Sequence, residues 1–329
     1  MYTRRDLGKI ALTSLPVAML AGTRLRAAAI SDAAANGVQL GASTYSFRDL
    51  PRTTGADNVD AVVKALQFAG VSQIELSSFD LEPGSPRMGP EPPPPGAYRL
   101  PTIPWTPEQL AAAKLAFRNS VRDWRLETPP SVILAHKAAF ASAGISVFSW
   151  RTDFDETFTD EEIESVLRHA NAMGASVVSA SSSLTTARRL APIAEKHNAL
   201  VAFHTTADAK SPEAISTPAN IAAVLAMSKS FRVNLDIGNF TALNLEPVAF
   251  IQENHASISH VQIKDRTRNG GGNEFLGEGD TPIQPVLALL KRNKYGIPAF
   301  VEYEYIGLGT PRDEVKKCMT FVRSALSAA

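Results

Sequence analysis

The chain has 329 residues, 44% of them hydrophobic, and as many basic as acidic groups, so its formal net charge is zero. That length suits one large α/β domain or two small ones, and the charge balance argues against a general nucleic-acid or membrane-surface binder. A single cysteine, Cys318, excludes an intrachain disulfide.

Residues 1–29 read as a targeting segment rather than as part of the fold. Arg4-Arg5 precedes an apolar run from Ile10 to Gly22, and Arg26-Ala27-Ala28-Ala29 follows as a small-residue cleavage site. The pattern resembles a twin-arginine export signal and predicts a periplasmic protein without stable membrane insertion after cleavage. The run contains Pro16 and is short for a bilayer span; an uncleaved anchor is the alternative. The segment carries five basic groups and one acid, so the chain from residue 30 on is near −4.

From Val38 onward, short apolar runs alternate with amphipathic stretches. Strands are predicted at Gln39–Phe47, Val71–Ser77, Ile145–Trp150, Ser176–Ala180, Leu200–Thr205, Arg232–Ile237, Ile258–Lys264 and Ala299–Tyr303. Helical spacing falls at Asn58–Ala69, Thr159–Met173, Thr186–His197, Pro218–Met227, Pro247–Ser257, Pro282–Lys294 and Pro311–Leu326. Thr159 and Glu162 form a capping box, and several of the other helices begin with proline in the first turn. Eight strand–helix units in strict alternation predict a parallel sheet closed as a (β/α)8 TIM barrel, a single domain over 30–329. A doubly wound open sheet is the runner-up; it calls for a glycine-rich first turn that Gly41-Ala-Ser-Thr-Tyr-Ser does not supply.

The second unit is interrupted. Residues 82–105 hold Pro83, Pro86, Pro90 and the run Pro92–Pro95, too many for helix or central strand. Helical patterns resume at Thr106–Val121 and Pro130–Ala143. The stretch 82–129 is read as an insertion after strand two, a lid over the barrel mouth or a passive surface loop. Residues 268–280, with three consecutive glycines, read as a second, mobile loop after strand seven.

In a barrel, alternate residues of each strand point inward, and those near the C-terminal ends build the site. That parity sends His204 of strand five, Asn234 and Asp236 of strand six, Gln262 of strand seven, and Glu302 and Glu304 of strand eight inward. One imidazole, two carboxylates and an amide oxygen suit a divalent cation such as Mn, Co, Zn or Mg, with open positions for two oxygens of a sugar or hydroxy-carbonyl compound. Each residue has a duller reading: a core histidine at 204, a helix-cap acid at 236, one inward and one rim residue among Glu302 and Glu304. Lys264 points into the mouth, to assist a substrate oxygen or to pair with Glu304 or Asp236. Glu75 is inward on strand two. Trp150 on strand three is placed to stack on a sugar or to fill the barrel, and His260 lies deeper.

Val-Asn-Leu-Asp-Ile-Gly-Asn at 233–239, His-Val-Gln-Ile-Lys-Asp-Arg at 260–266, Leu-Gly-Glu-Gly-Asp at 276–280 and Val-Glu-Tyr-Glu-Tyr at 301–305 carry a resemblance. In order and spacing, from about Val38 on, the chain resembles the xylose-isomerase-like TIM-barrel superfamily of sugar phosphate isomerases and epimerases. The resemblance implies a metal held on the last four strands by Glu, Asp, His or Gln, and Glu. Asp236, Gln262 and Glu302 match that set. His204 stands where the first Glu belongs, and strand four offers no replacement carboxylate, so His204 is read as a ligand or as the base. Imidazole is the side chain that ordinarily titrates nearest neutral pH.

The expectation is an exported, metal-dependent isomerase or epimerase for a small carbohydrate, acting through an enediolate-type intermediate. Glu302, His204 and Lys264 would be catalytic, and Trp150, Glu75 and Glu304 would line the substrate. A lyase acting on 3-keto-glycosides by β-elimination and a non-catalytic sugar-binding barrel are the alternatives. The superfamily's AP endonucleases use a three-zinc cluster, for which six histidines, four of them on helical segments, are too few. Homo-oligomerisation is left open.

Overall fold

The computed structural model describes residues 37–48, 50, 58–83 and 106–329. The export signal expected over 1–29 and the proline-rich run 84–105 lie outside the described residues.

All eight predicted strands form: β1 (Leu40–Ser43), β2 (Gln73–Ser77), β3 (Ser146–Arg151), β4 (Val177–Ala180), β5 (Val201–His204), β6 (Phe231–Asp236), β7 (Ile258–Ile263) and β8 (Ala299–Val301). They close in the order β1-β8-β7-β6-β5-β4-β3-β2, every neighbouring pair parallel. The chain is therefore a TIM barrel, and the open-sheet alternative is excluded. Several strands are shorter than predicted. Residues 44–47, read as strand, form a 3-10 turn, and strand eight ends at Val301.

The helices are α1 (Val59–Ala69), α2 (Pro107–Glu127), α3 (Pro130–Ser142), α4 (Asp160–Met173), α5 (Leu184–Lys196), α6 (Pro218–Leu225), α7 (Ile237–Ala242), α8 (Pro247–Asn254), α9 (Ile283–Asn293) and α10 (Pro311–Ala328). The capping box of α4 is present in both directions, and Gly174 ends that helix at φ 83°. The sequence did not predict α7. It follows β6 without a loop, because the Asp236 carboxylate accepts the Asn239 amide and caps the first turn. No helix among the described residues is long and apolar enough to cross a membrane.

The described part of the insertion is α2, which runs along the flank of the barrel against α4. Arg118 forks onto both Glu162 oxygens at 2.8 Å, and Arg125 pairs with Glu82 at 2.7 Å. Ser165 donates to the Arg125 carbonyl. The glycine-rich stretch expected to be mobile is tied to one acid. Asp265 accepts the amides of Gly277, Gly279 and Thr281 at 2.7, 3.1 and 3.1 Å.

The barrel interior is layered. Its floor is aromatic, with the rings of Phe148, His260 and Phe300 mutually about perpendicular or tilted at 5.5–5.6 Å. Gly41 makes room for it: a Cβ there would lie 2.4 Å from the Gln73 carbonyl and 2.5 Å from the Phe300 ring. Above the floor the lining turns polar, unlike the branched apolar layers usual in such barrels. Register shifts between Ile74 and Glu75 in the β2–β3 pairing, and between Val233 and Asn234 in the β6–β7 pairing, set which side chains enter that layer.

Candidate active site

The polar layer is organised on Glu75, which is fully buried. Its two oxygens accept from Ser43 Oγ (3.1 Å), Ser149 Oγ (3.2 Å), Asn234 Nδ2 (3.2 Å) and Gln262 Nε2 (2.6 Å), and His260 Nε2 lies at 2.9 Å. Burial alone would raise this carboxyl, but the hydrogen bond and charge of His260, then Arg151, bring it from 4.5 down to about 2. Glu75 therefore lies beneath the mouth as a structural hub, not at a substrate surface.

A folded pKa below the unfolded one means that the native state resists protonation. The stability from Glu75 is full above about pH 4.5 and is lost as the pH falls toward 2. Urea midpoints should correspond to a loss of about 2 kcal/mol between pH 6 and pH 3 from this group. Glu75→Gln should flatten that slope; an equal slope in both proteins would remove Glu75 as its source.

One layer above, β5, β6 and β8 bring His204, Asp236 and Glu302 together. These three are buried, and one ligand atom from each lies within 4.8 Å of the others. The strand register does this: His204 is level with Asn234, Asp236 with Gln262, and Gln262 with Phe300, two residues before Glu302. His204 Nδ1 is 3.3 Å from Ser181 Oγ, and its Nε2 is 3.4 Å from Asp236 Oδ2. The cap-acid and site readings of Asp236 both hold, one oxygen for each: Oδ1 caps α7 while Oδ2 faces His204 and Lys264.

Lys264 ion-pairs with Asp236 at 2.9 Å, Glu302 at 2.8 Å and Glu304 at 2.5 Å. Arg151 holds the other Glu302 oxygen at 2.7 Å and stacks on Tyr45 at 4.8 Å. Burial is the largest influence on Asp236 and Glu302 and opposes their ionisation, and it is overcome only by several partners acting together, Lys264 foremost. With His204 at Asp236, and with Arg151 at Glu302, both carboxyls are held below their ordinary range. Burial likewise works against the Lys264 and Arg151 charges, and the surrounding carboxylates more than restore them.

Trp150 is a correction. It is 1% exposed, and its ring faces His169 of α4 at 6.2 Å, with Nε1 donating to Thr152. It belongs to the outer layer between strand and helix and neither stacks on a sugar nor fills the barrel. Ser149 and Arg151 take the inward positions of β3. Arg151 is the charged residue of this group that sequence reading missed; its signal was a charge at the C-terminal end of an apolar strand, two residues after Ser149. Glu304, with its side chain 24% exposed, sits at the rim.

The donor set fits a divalent cation on two grounds besides its composition. Gln262 Oε1 is buried with no hydrogen-bond partner, while its amide nitrogen is held by Glu75, so the oxygen is the free end. Imidazoles aside, the carboxylates of Glu75, Asp236, Glu302 and Glu304 face two cationic side chains among the described residues, Lys264 and Arg151. That excess of carboxylates over lysine and arginine side chains favours a further cation.

A family model for the xylose isomerase-like TIM barrel matches residues 152–325. No curated protein matches the chain. Among solved structures it is similar to L-ribulose 3-epimerase at 13% identity, covering 88% of this chain and 94% of that one with a TM-score of 0.57. It is similar to the 3-keto-D-glucoside 4-epimerase of E. coli at 12% identity, covering 87% and 98%, TM-score 0.55. The probable 3-DHS dehydratase from Bacillus anthracis aligns at 13% identity, covering 86% and 98%, TM-score 0.57. At such identities the likeness is one of fold. The family match spans more than half of the chain and contains His204, Asp236, Gln262, Lys264 and Glu302, and the closed eight-stranded barrel agrees with it: the chain belongs to the xylose isomerase-like TIM barrel family.

Proposed function

We propose that this protein is a divalent-metal-dependent enzyme that moves a proton on a sugar or sugar derivative, through an enediolate-type intermediate. The observation that carries it is the buried His204–Asp236–Glu302 group at the C-terminal ends of three barrel strands, with the buried, unpartnered oxygen of Gln262 on the strand between those of Asp236 and Glu302. Asp236, Gln262 and Glu302 would hold the ion, with His204 either a further ligand or, left off the ion, the base, because an imidazole nitrogen on the ion has no lone pair left for a proton. Once bound, the ion would supply Lewis-acid polarisation of a substrate carbonyl.

The chain's own residues divide the remaining work. Glu302 is fixed by Lys264 and Arg151 and held low, which makes it a poor proton acceptor near neutral pH. His204 is oriented between Ser181 and Asp236 and is the better candidate to carry the proton, provided an Nε2 edge is released toward substrate. Lys264 and Arg151 would steady negative charge developing on substrate oxygens.

A site with one mobile base favours reactions in which a single group removes and returns or releases the proton. Isomerisation through a cis-enediol and β-elimination from a 3-keto-glycoside both meet that condition. Epimerisation requires acid and base on opposite faces of the carbon. The elimination reading is kept because β4 and the residue after it supply Ser179, bonded to Asn234 in the layer below, and Ser181, beside His204, and no carboxylate.

The test uses protein stripped with a chelator and reloaded with Mn, Co, Zn or Mg, assayed on free aldoses and ketoses and on oxidised glycosides. Metal-dependent turnover is expected, falling at least ~100-fold in His204→Asn, in the range expected of a general base. Stoichiometric metal uptake with no turnover on either panel would favour a binding protein, and no uptake at all would remove the metal reading. The periplasmic setting expected from residues 1–29 is part of this proposal; retention of the processed chain in the periplasmic fraction checks it.

A further inference from the structure

Two of the three carboxylates that hold Lys264 are also candidate metal ligands. Its ammonium lies 2.9 Å from Asp236 Oδ2 and 2.8 Å from Glu302 Oε2. A divalent ion binds carboxylate oxygens at roughly 2.0–2.2 Å. An ion placed among His204, Asp236 and Glu302 would then share those oxygens with a positive charge only a few ångströms away. The two cations exclude each other from the same place.

The third partner differs from the first two. Glu304 Oε2 is 2.5 Å from the ammonium, and its side chain is 24% exposed where those of Asp236 and Glu302 are 0% and 1%. Glu304 is not among the residues whose donor atoms converge on the metal site. The main chain of Lys264 is fixed from below: a Cβ on Gly238 would lie 2.7 Å from the Lys264 carbonyl, so α7 packs directly against it. The ammonium, at the end of a flexible four-carbon stem, is the part free to move.

We propose that Lys264 is a displaceable internal counter-ion of the metal site. It bridges Asp236 and Glu302 while no metal is bound, and it withdraws onto Glu304 at the rim when a divalent ion enters. This rests on the metal reading above. Metal affinity is then set partly by a lysine and a glutamate that are not ligands. Loading the ion also delivers the ammonium to the rim, where substrate oxygens arrive.

The experiment is a calorimetric Mn²⁺ titration of the metal-stripped full chain in four forms: wild type, Lys264→Met, Glu304→Gln and the double variant. Lys264→Met should bind Mn²⁺ about tenfold tighter or more, because no resident cation has to leave. Glu304→Gln should bind about tenfold weaker or more, because the displaced ammonium loses its acceptor. In the Lys264→Met background the same Glu304 change should cost less than about threefold.

Binding by Lys264→Met no tighter than wild type overturns the proposal and leaves the metal reading standing. So does a Glu304→Gln effect of equal size in both backgrounds, which would mark a long-range field rather than a moving lysine. No Mn²⁺ uptake by any form overturns both. Should Lys264→Met not fold, wild-type crystals grown with and without Mn²⁺ decide the matter. The ammonium should then lie beyond ion-pair reach, about 4 Å, of Asp236 and Glu302 in the loaded form only. An ammonium unmoved in the loaded form overturns the proposal.

Discussion

Asp236→Asn should abolish metal retention and with it turnover, while leaving the fold nearly intact. The carboxylate has two separate duties, and the amide keeps one of them. Oδ1 accepts the Asn239 amide that starts α7, and an asparagine oxygen accepts it as well. Oδ2 faces Lys264 and His204, and there only a charged oxygen serves. Lys264 retains Glu302 and Glu304, so the substitution does not strand a buried cation. The excess of carboxylates over lysine and arginine side chains around the site falls by one. Loss of an outer partner of a metal site already costs about 10–100-fold in affinity, and loss of a direct ligand should exceed that. Melting should stay within a few degrees of wild type. Metal analysis of the purified variant checks the first part and a thermal melt the second. Full metal occupancy in Asp236→Asn would remove Asp236 from the ligand set.

Much of this site can be read in the sequence because period-two alternation and barrel closure are both local rules. His204, Asp236, Gln262, Lys264 and Glu302 all face the expected way, since β5 through β8 each carry a polar residue of the correct parity near the C-terminal end. β3 defeats the same rule. The register between β2 and β3 shifts next to Glu75, and a one-residue slip turns every later side chain to the other face. Trp150 therefore points at α4 and Arg151 points in. What alternation cannot convey is through-space company. Lys264 gathers three carboxylates from two other strands, and Glu75 gathers donors from β1, β3, β6 and β7. Nothing in one strand's pattern specifies how those side chains meet across the barrel. The helix α7 escaped notice for a related reason. Its cap is the same Asp236 that serves the site, and its six residues are too few for helical periodicity to show.

Glu75→Leu should be the most destabilising single change in the barrel interior. The glutamate has 0% exposure. Removing it leaves the Ser43, Ser149, Asn234 and Gln262 donors and one imidazole edge of His260 without their acceptor. Each buried orphan costs about 1–3 kcal/mol, although the hydroxyls can turn elsewhere and reduce the sum. Arg151, 4.0 Å from the same carboxylate, also loses a compensating charge. Breaking one side of such a buried charged network costs roughly 3–5 kcal/mol, which for a chain of this size lowers Tm by roughly 10 °C. Glu75→Gln should cost less, because an amide oxygen still accepts; but its NH2 would confront the Gln262 NH2. Gln262 would then turn its oxygen toward residue 75 and its nitrogen toward the metal site, where a nitrogen bearing two hydrogens cannot bind a cation. Glu75→Gln should therefore fold and yet take up metal weakly, whereas a purely structural Glu75 would leave uptake unchanged. Chemical denaturation of Glu75→Leu and Mn²⁺ titration of Glu75→Gln measure the two effects separately. A Glu75→Leu protein within about 1 kcal/mol of wild type would mean that the polar layer does not depend on this carboxylate.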